Sequence, residues 1–323
     1  MQKDLVFKEE SYLEMMENVA EPFLKERSKE FFLKREKGRE LYCIKYQVEN
    51  PKGVVLISHG FTESAEKYKE ICYYFVKENY HVYIPEHCGH GKSYRLTKDF
   101  SLVHVDHYER YVRDLLFVAM LAKKENQNLP LFLYAHSMGG GIGAAVAARK
   151  PELFAKMILT SPMIRPLTGK IPWGVARAIS AGLCFVGREM AYVSGQPYAG
   201  KETFEDSCSL SRARFDYYQE KRDSKRELQT CAASFGWLRE SGKLNAYLRK
   251  EAVKNIHSPV ILFQAEQETM VSKKVQSRFI DALKSRGVNA ELISVENARH
   301  EIFNAEFPVL EKYWEQVFEF LDT

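Results

Sequence analysis

Tyr134-Ala135-His136-Ser137-Met138-Gly139-Gly140 places one hydroxyl between an apolar run and a stretch of small residues. A serine on the tight turn from a buried strand into a helix is lifted clear of the sheet, where its oxygen can attack a carbonyl carbon. That turn requires small residues two before and two after the serine, because the strand and helix backbones approach closely. Ala135 and Gly139 hold those places, and Ala135 is the smallest alternative to the glycine usual there. The start of the following helix points N–H groups, that of Met138 among them, at the oxygen on which negative charge develops. Ser137 is the expected nucleophile. The simpler account, a glycine-rich helix start after any strand, does not explain why a serine stands at the turn.

The elements around this turn must hold it in register. Val54–Ile57, Val82–Ile84, Leu131–Tyr134, Met157–Leu159, Val260–Phe263 and Glu291–Val295 are short, mostly apolar runs. Segments of helical character separate them, at about 64–79, 105–124, 140–149 and 309–321. Apolar runs alternating with helices predict a mostly parallel sheet buried on both faces, with right-handed crossovers. The alternation stops after Ser161-Pro162 and resumes at Val260. The predicted architecture is therefore an α/β-hydrolase fold, with core segments 39–162 and 256–323 and a mainly helical cap inserted at 163–255. Residues 1–38, rich in Glu, Lys and Arg, predict a helical or loosely ordered lead-in whose apolar positions form one face of a helix.

A serine hydroxyl is a weak nucleophile until a base takes its proton. In this fold the order along the chain is serine, acid, histidine, on loops after successive strands. His59, His81, His87, His90, His104, His107, His136 and His257 all precede either Ser137 or the run at Val260, which leaves His300. The loop Gln264-Ala265-Glu266-Gln267-Glu268-Thr269-Met270-Val271 has no Asp, so the acid is a Glu. Glu268 is better placed because Val271 can anchor the loop end, and Glu266 competes with it. Ser58-His59-Gly60-Phe61-Thr62 follows an earlier strand and offers the N–H of Phe61 as the second oxyanion donor beside that of Met138.

Bulk composition restricts the partners. With 47 Lys and Arg against 43 Asp and Glu in 323 residues, the net charge is +4, which does not call for nucleic acid and tolerates an anionic membrane surface. The 6 cysteines include no C-x-x-C pair and read as thiols of a reducing compartment. Met1–Glu10 lacks an apolar core of the secretory type, and no run reaches the ~18 apolar residues of a membrane span. The expectation is a cytoplasmic protein, with transient contact at the inner face of the membrane compatible with its charge.

These residues resemble the lysophospholipase and monoacylglycerol-lipase group of serine hydrolases, from about residue 40 onward. The resemblance rests on His59-Gly60-Phe61-Thr62-Glu63-Ser64, Gly89-His90-Gly91-Lys92-Ser93, Ala135-His136-Ser137-Met138-Gly139-Gly140, Ser161-Pro162-Met163 and Ala298-Arg299-His300-Glu301. Gln264-Ala265-Glu266 with its Glu-rich loop is similar to the bacterial lysophospholipase L2 branch. The resemblance implies hydrolysis of a lysophospholipid or monoacylglycerol ester through an acyl-enzyme on Ser137, with no metal or organic cofactor. A small-acyl carboxylesterase, a thioesterase, a peptidase and a non-catalytic ligand-binding relative are the alternatives. Two departures stand out: Glu86 and Cys88 occupy places where the group usually has Asp and Arg, and its triad acid is usually Asp.

Three other motifs are set aside. Gly91-Lys92-Ser93 ends like a phosphate loop, but Glu86 stands where the first glycine belongs and would repel phosphate. His87, Cys88 and His90 crowd one tight loop and lack a partner pair to complete a metal site. Asn304 replaces the second histidine of an H-E-x-x-H motif.

Overall fold

Gly53–Ser58, Tyr80–Pro85 and Leu131–His136 are buried along their whole length, as strands covered on both faces must be. The computed structural model describes residues 1–2, 4–194, 197–198 and 202–323. The chain opens with α1 (Tyr12–Met15) and α2 (Glu21–Arg27), then β1 (Ser28–Glu36) and β2 (Arg39–Tyr46). Next come β3 (Gly53–Ser58), α3 (Lys69–Lys77), β4 (Tyr80–Pro85), the short β5 (Leu102–Val103) and α4 (Glu109–Glu125). They are followed by β6 (Leu131–His136), α5 (Ser137–Arg149) and β7 (Lys156–Thr160). Then α6 (Trp173–Phe185), α7 (Arg212–Ser224), β8 (Ala232–Ala233) and α8 (Phe235–Lys250) intervene before β9 (Val260–Gln267). Finally α9 (Lys273–Lys284), β10 (Ala290–Arg299) and α10 (Phe307–Asp322) close the fold.

The main sheet has the order β1-β2-β4-β3-β6-β7-β9-β10. β4, β3, β6, β7, β9 and β10 run parallel, whereas β2 pairs antiparallel with β4 and β1 with β2. From β3 the order runs out to β4 on one side and to β6 on the other. Such a switch point opens a crevice at the carboxyl ends of the strands, where open α/β sheets bind ligands.

Successive residues of each strand face opposite layers. Leu56, Leu133 and Leu262 pack with Val112, Ile142, Val146 and Phe279 on one face. Val55, Tyr134 and Ile261 pack with Phe75, Trp314 and Phe318 on the other, where Leu5, Met16 and Leu24 of the N-terminal segment join them.

That segment departs from the expected lead-in over 1–38. Helix ends at Arg27, and Ser28–Glu36 forms the outermost strand of the sheet. Phe31 and Leu33 pack on the core while Phe32 stands 53% exposed, a period of two. The charges flanking them, Lys29, Glu30 and Lys34, read as one solvated helix face because an edge strand also keeps one face in water.

Between β7 and β9 the chain is mainly helical, and it is fastened to the rest. β8 pairs with β5, and the Arg165 guanidinium donates to the Ser272 hydroxyl at 2.8 Å. Arg214 of α7 is fully enclosed: its guanidinium meets Glu70 of α3 through two hydrogen bonds of 3.0 and 2.6 Å and donates to the Phe7 carbonyl at 2.8 Å. Glu9 accepts from the Ser211 hydroxyl at 2.6 Å and the Ala213 N–H at 2.7 Å, at the first turn of α7. Among the described residues, no helix is long and apolar enough to cross a membrane.

Candidate active site

Ser137 sits where β6 turns into α5, with φ at +49°, in the left-handed region that non-glycine residues seldom enter. The turn is held from both sides. A Cβ on Gly139 would lie 2.1 Å from the Ser58 carbonyl oxygen and 2.5 Å from that of His59. Opposite Ala135, α5 carries Gly143, where a Cβ would lie 2.6 Å from Leu133 and in ordinary contact, 3.5 Å, with the Ala135 methyl. Gly139→Ala is therefore expected to destabilise the protein by about 3 kcal/mol or more, since backbone would have to move, whereas Ala135→Gly costs about 1 kcal/mol or less. Chemical denaturation compares the two, and equal stabilities would refute this account of the turn.

Ser137 Oγ lies 2.8 Å from His300 Nε2, and His300 Nδ1 lies 2.7 Å from Glu268 Oε2. The other oxygen of Glu268 accepts from the N–H of Met270 at 2.8 Å and of Val271 at 3.1 Å. The Glu268 side chain is fully enclosed beside the imidazole. Burial pushes its carboxyl up, but the His300 contact and the two N–H donors outweigh burial and hold it below the ordinary carboxylate range. Glu266 does not reach His300; its carboxylate accepts from the Asn297 N–H at 2.9 Å in an exposed position.

Phe61 lies in the loop after β3, its ring 4.4 Å from that of Trp237 of α8. The N–H groups on either side of it are committed. Gly60 donates to Glu63 at 2.5 Å and to Tyr68 Oη at 3.3 Å, and Thr62, with φ at +60°, donates to His90 Nε2 at 3.2 Å. Met138 opens the first turn of α5, where N–H groups lack intrahelical acceptors. Of the aromatic residues between β7 and β9, Trp237 meets Phe61, whereas Tyr217 bonds Glu21 at 2.5 Å.

Several residues of the site carry no motif. Glu63, held by Tyr68 Oη at 2.6 Å, lies 3.5 Å from Lys67, and Lys67 is also paired with Glu301. Burial alone would push the Lys67 ammonium down, but Glu301 and Glu63 win and hold it above the ordinary lysine range. This buried chain of charges joins the loop of Phe61 to the residue after His300. His136 packs 4.8 Å from the His300 ring and is fixed by a 3.0 Å hydrogen bond from Nδ1 to the Thr160 carbonyl. Burial first, and then His300, depress its pKa, so it presents a neutral ring to the His300 imidazole. Only the i, i+4 spacing of Glu63 and Lys67 hinted at this network.

The two unusual residues after β4 pack beneath the site. Glu86 accepts from the N–H of Ala65 at 3.0 Å and of Lys92 at 2.6 Å, and burial pushes its carboxyl up to about 7. A Cβ on Gly91 would fall 2.0 Å from its carboxylate, so the side chain fills the concavity of the glycine loop. His59, His87 and His90 cluster beside it, the His59 ring 4.5 Å from that of His87 and 5.1 Å, edge to face, from that of His90. Burial holds His59 near pKa 4 and the other two well below the usual range.

Fold and site together define an α/β-hydrolase with a serine, histidine and glutamate hydrogen-bonded in series. The chain belongs to the family described as serine aminopeptidase, S33, whose model matches residues 49–306. Monoglyceride lipase of Mus musculus is 32% identical over 128 residues, covering 39% of this chain and 41% of that protein. The match thus spans about two fifths of that relative's length. Lysophospholipase L2 of Escherichia coli (strain K12) is 26% identical over 282 residues, or 80% of this chain and 77% of that one. The structure of a soluble variant of monoglyceride lipase from Saccharomyces cerevisiae, in complex with a substrate analog, superposes with a TM-score of 0.73. Its identity is 20%, over 92% of this chain and 95% of that one, and it speaks for the fold.

Proposed function

We propose that the protein hydrolyses the carboxylic ester of a lysophospholipid or monoacylglycerol through an acyl-enzyme on Ser137. The observation that carries this reading is the line of two hydrogen bonds, 2.8 and 2.7 Å, from Ser137 through His300 to Glu268. As Oγ attacks the acyl carbon, its proton passes to Nε2 of His300. The imidazolium keeps its Nδ1 proton on Glu268, and the N–H groups of Phe61 and Met138 receive the oxyanion. Nε2 then gives its proton to the departing alkoxide. In the second half His300 takes a proton from water, hydroxide attacks the acyl-enzyme, and the fatty acid leaves as Ser137 is restored.

Residues 163–255 act as the cap in this reading, with Trp237 against Phe61 at the acyl side. The names of the similar lipases and lysophospholipase support a lipid ester substrate. The protein works in the cytoplasm, touches the membrane surface transiently and needs neither nucleic acid nor cofactor.

A panel of lysophospholipids, monoacylglycerols, p-nitrophenyl acetate and an aminoacyl p-nitroanilide tests the substrate class. Long-chain esters should exceed the acetyl ester in kcat/KM by about 10-fold or more, because each buried methylene adds ~0.8 kcal/mol. Equal rates on acetyl and long-chain esters, or preferred cleavage of the anilide, would overturn the proposal.

A further inference from the structure

His300 is flanked by residues that bind one segment of the insertion. The guanidinium of Arg299, immediately before it, points one nitrogen, Nη1, at four carbonyl oxygens: Phe204 at 3.3 Å, Glu205 at 3.1 Å, Ser207 at 3.0 Å and Ser209 at 3.4 Å. The Glu301 N–H, immediately after it, donates to the Cys208 carbonyl at 3.1 Å. The Asn304 carbonyl accepts from the N–H of Leu210 at 3.0 Å, the N–H of Ser211 at 2.9 Å and the Ser209 hydroxyl at 3.2 Å. Residues 204–211 are thus wrapped around the loop that presents His300, more than eighty positions away in the chain.

The two N–H groups of Nη1 lie within this ring of carbonyls, whose dipoles replace the water that a partly enclosed cation loses. Among the described residues no carboxylate pairs with Arg299, so its charge is spent on backbone. The segment is itself anchored: Ser211 bonds Glu9, and α7 behind it is pinned through Arg214 to Glu70.

We infer that residues 204–211 form part of the seat of the catalytic base, and that Arg299 is a positioning residue that transmits their placement to His300. The inference rests on the reading of His300 as the base. Its imidazole must satisfy Ser137 and Glu268 at once, and β10 ends at Arg299, so His300 lies beyond the ladder of sheet hydrogen bonds. A shift of about 1 Å in a reacting group can cost on the order of 10²-fold.

Arg299→Ala and Arg299→Lys, made in the full chain, test this by steady-state kinetics and by the far-downfield proton resonance of the His300 Nδ1–H. Arg299→Ala should lower kcat by about 10-fold or more, keep KM within about threefold, and broaden or remove the resonance while the protein stays folded. Arg299→Lys, which restores a cation with three donors, should recover a large part of kcat and the resonance. A folded Arg299→Ala with wild-type kcat and resonance would refute the positioning role. So would a kcat loss with the resonance intact that the lysine does not relieve. Should the alanine variant fail to fold, Arg299→Gln takes its place: a lowered kcat with a broadened resonance upholds the inference, and wild-type values of both refute it. Unimpaired turnover by His300→Ala would instead refute the base assignment, whatever Arg299 does.

Discussion

Ser137→Ala leaves a folded protein that neither turns over ester nor takes up a fluorophosphonate. The expected fall in kcat is about 10⁴-fold or more, because without Oγ no acyl-enzyme forms and His300 has no proton to accept. Folding should survive. Alanine is the smaller side chain, and the residue already stands at φ +49° with its turn fixed by Gly139 against Ser58. The bond from the hydroxyl to Nε2 of His300 is buried, so its removal leaves that nitrogen without this partner at a cost of about 1–3 kcal/mol, which the melt reads. Gel labelling with a fluorescent fluorophosphonate, beside a thermal melt, reads both halves. Equal labelling of variant and wild type would end the serine-hydrolase reading.

The second large effect concerns the acid. Glu268→Gln should lower kcat by about 10³-fold or more, since an amide cannot stabilise the imidazolium and can favour the wrong tautomer of the ring. Glu266→Gln should stay within about threefold of wild type, because that carboxylate serves only the Asn297 N–H. The reverse ranking would transfer the acid to Glu266.

Stability gives an independent check. The Glu268 pKa is depressed in the folded protein, so its contribution is present above the unfolded value and is lost as pH falls through the lower folded one. The difference in unfolding free energy between wild type and Glu268→Gln should therefore shrink as the pH drops below about 4.5. A gap that widens there would mean that the carboxyl is not held ionised by its partners.

Ser137 was the most legible residue because its chemistry is written locally, in a turn that tolerates only small neighbours. The parallel strands were legible as apolar runs, and His300 from chain order. Glu268 and Glu266 lie two residues apart in one loop, and no property of either type separates them. The decision lies in backbone direction: Glu268 folds back onto the N–H groups of Met270 and Val271, and Glu266 leaves the end of β9 toward Asn297. β1 was misread because charges on an edge strand obscure its alternation. Glu63 and Lys67 could be paired by their i, i+4 spacing, but Glu301 could not be grouped with them. They are buried together by the meeting of two loops more than two hundred residues apart, which no local pattern records.

Arg214 bears on how the chain reaches this state. Its enclosed cation needs Glu70 from the core and Glu9 and Phe7 from the N-terminal segment, and an unmatched buried charge costs about 3–5 kcal/mol. Glu70, Phe7 and Glu9 therefore reach their full set of partners only once residue 214 has docked. Contacts of such sequence separation close late and slowly. They also tie the earliest segment, the insertion and the sheet into a single cooperative unit, so that fraying at the N-terminus and loosening of the insertion should be one event rather than two.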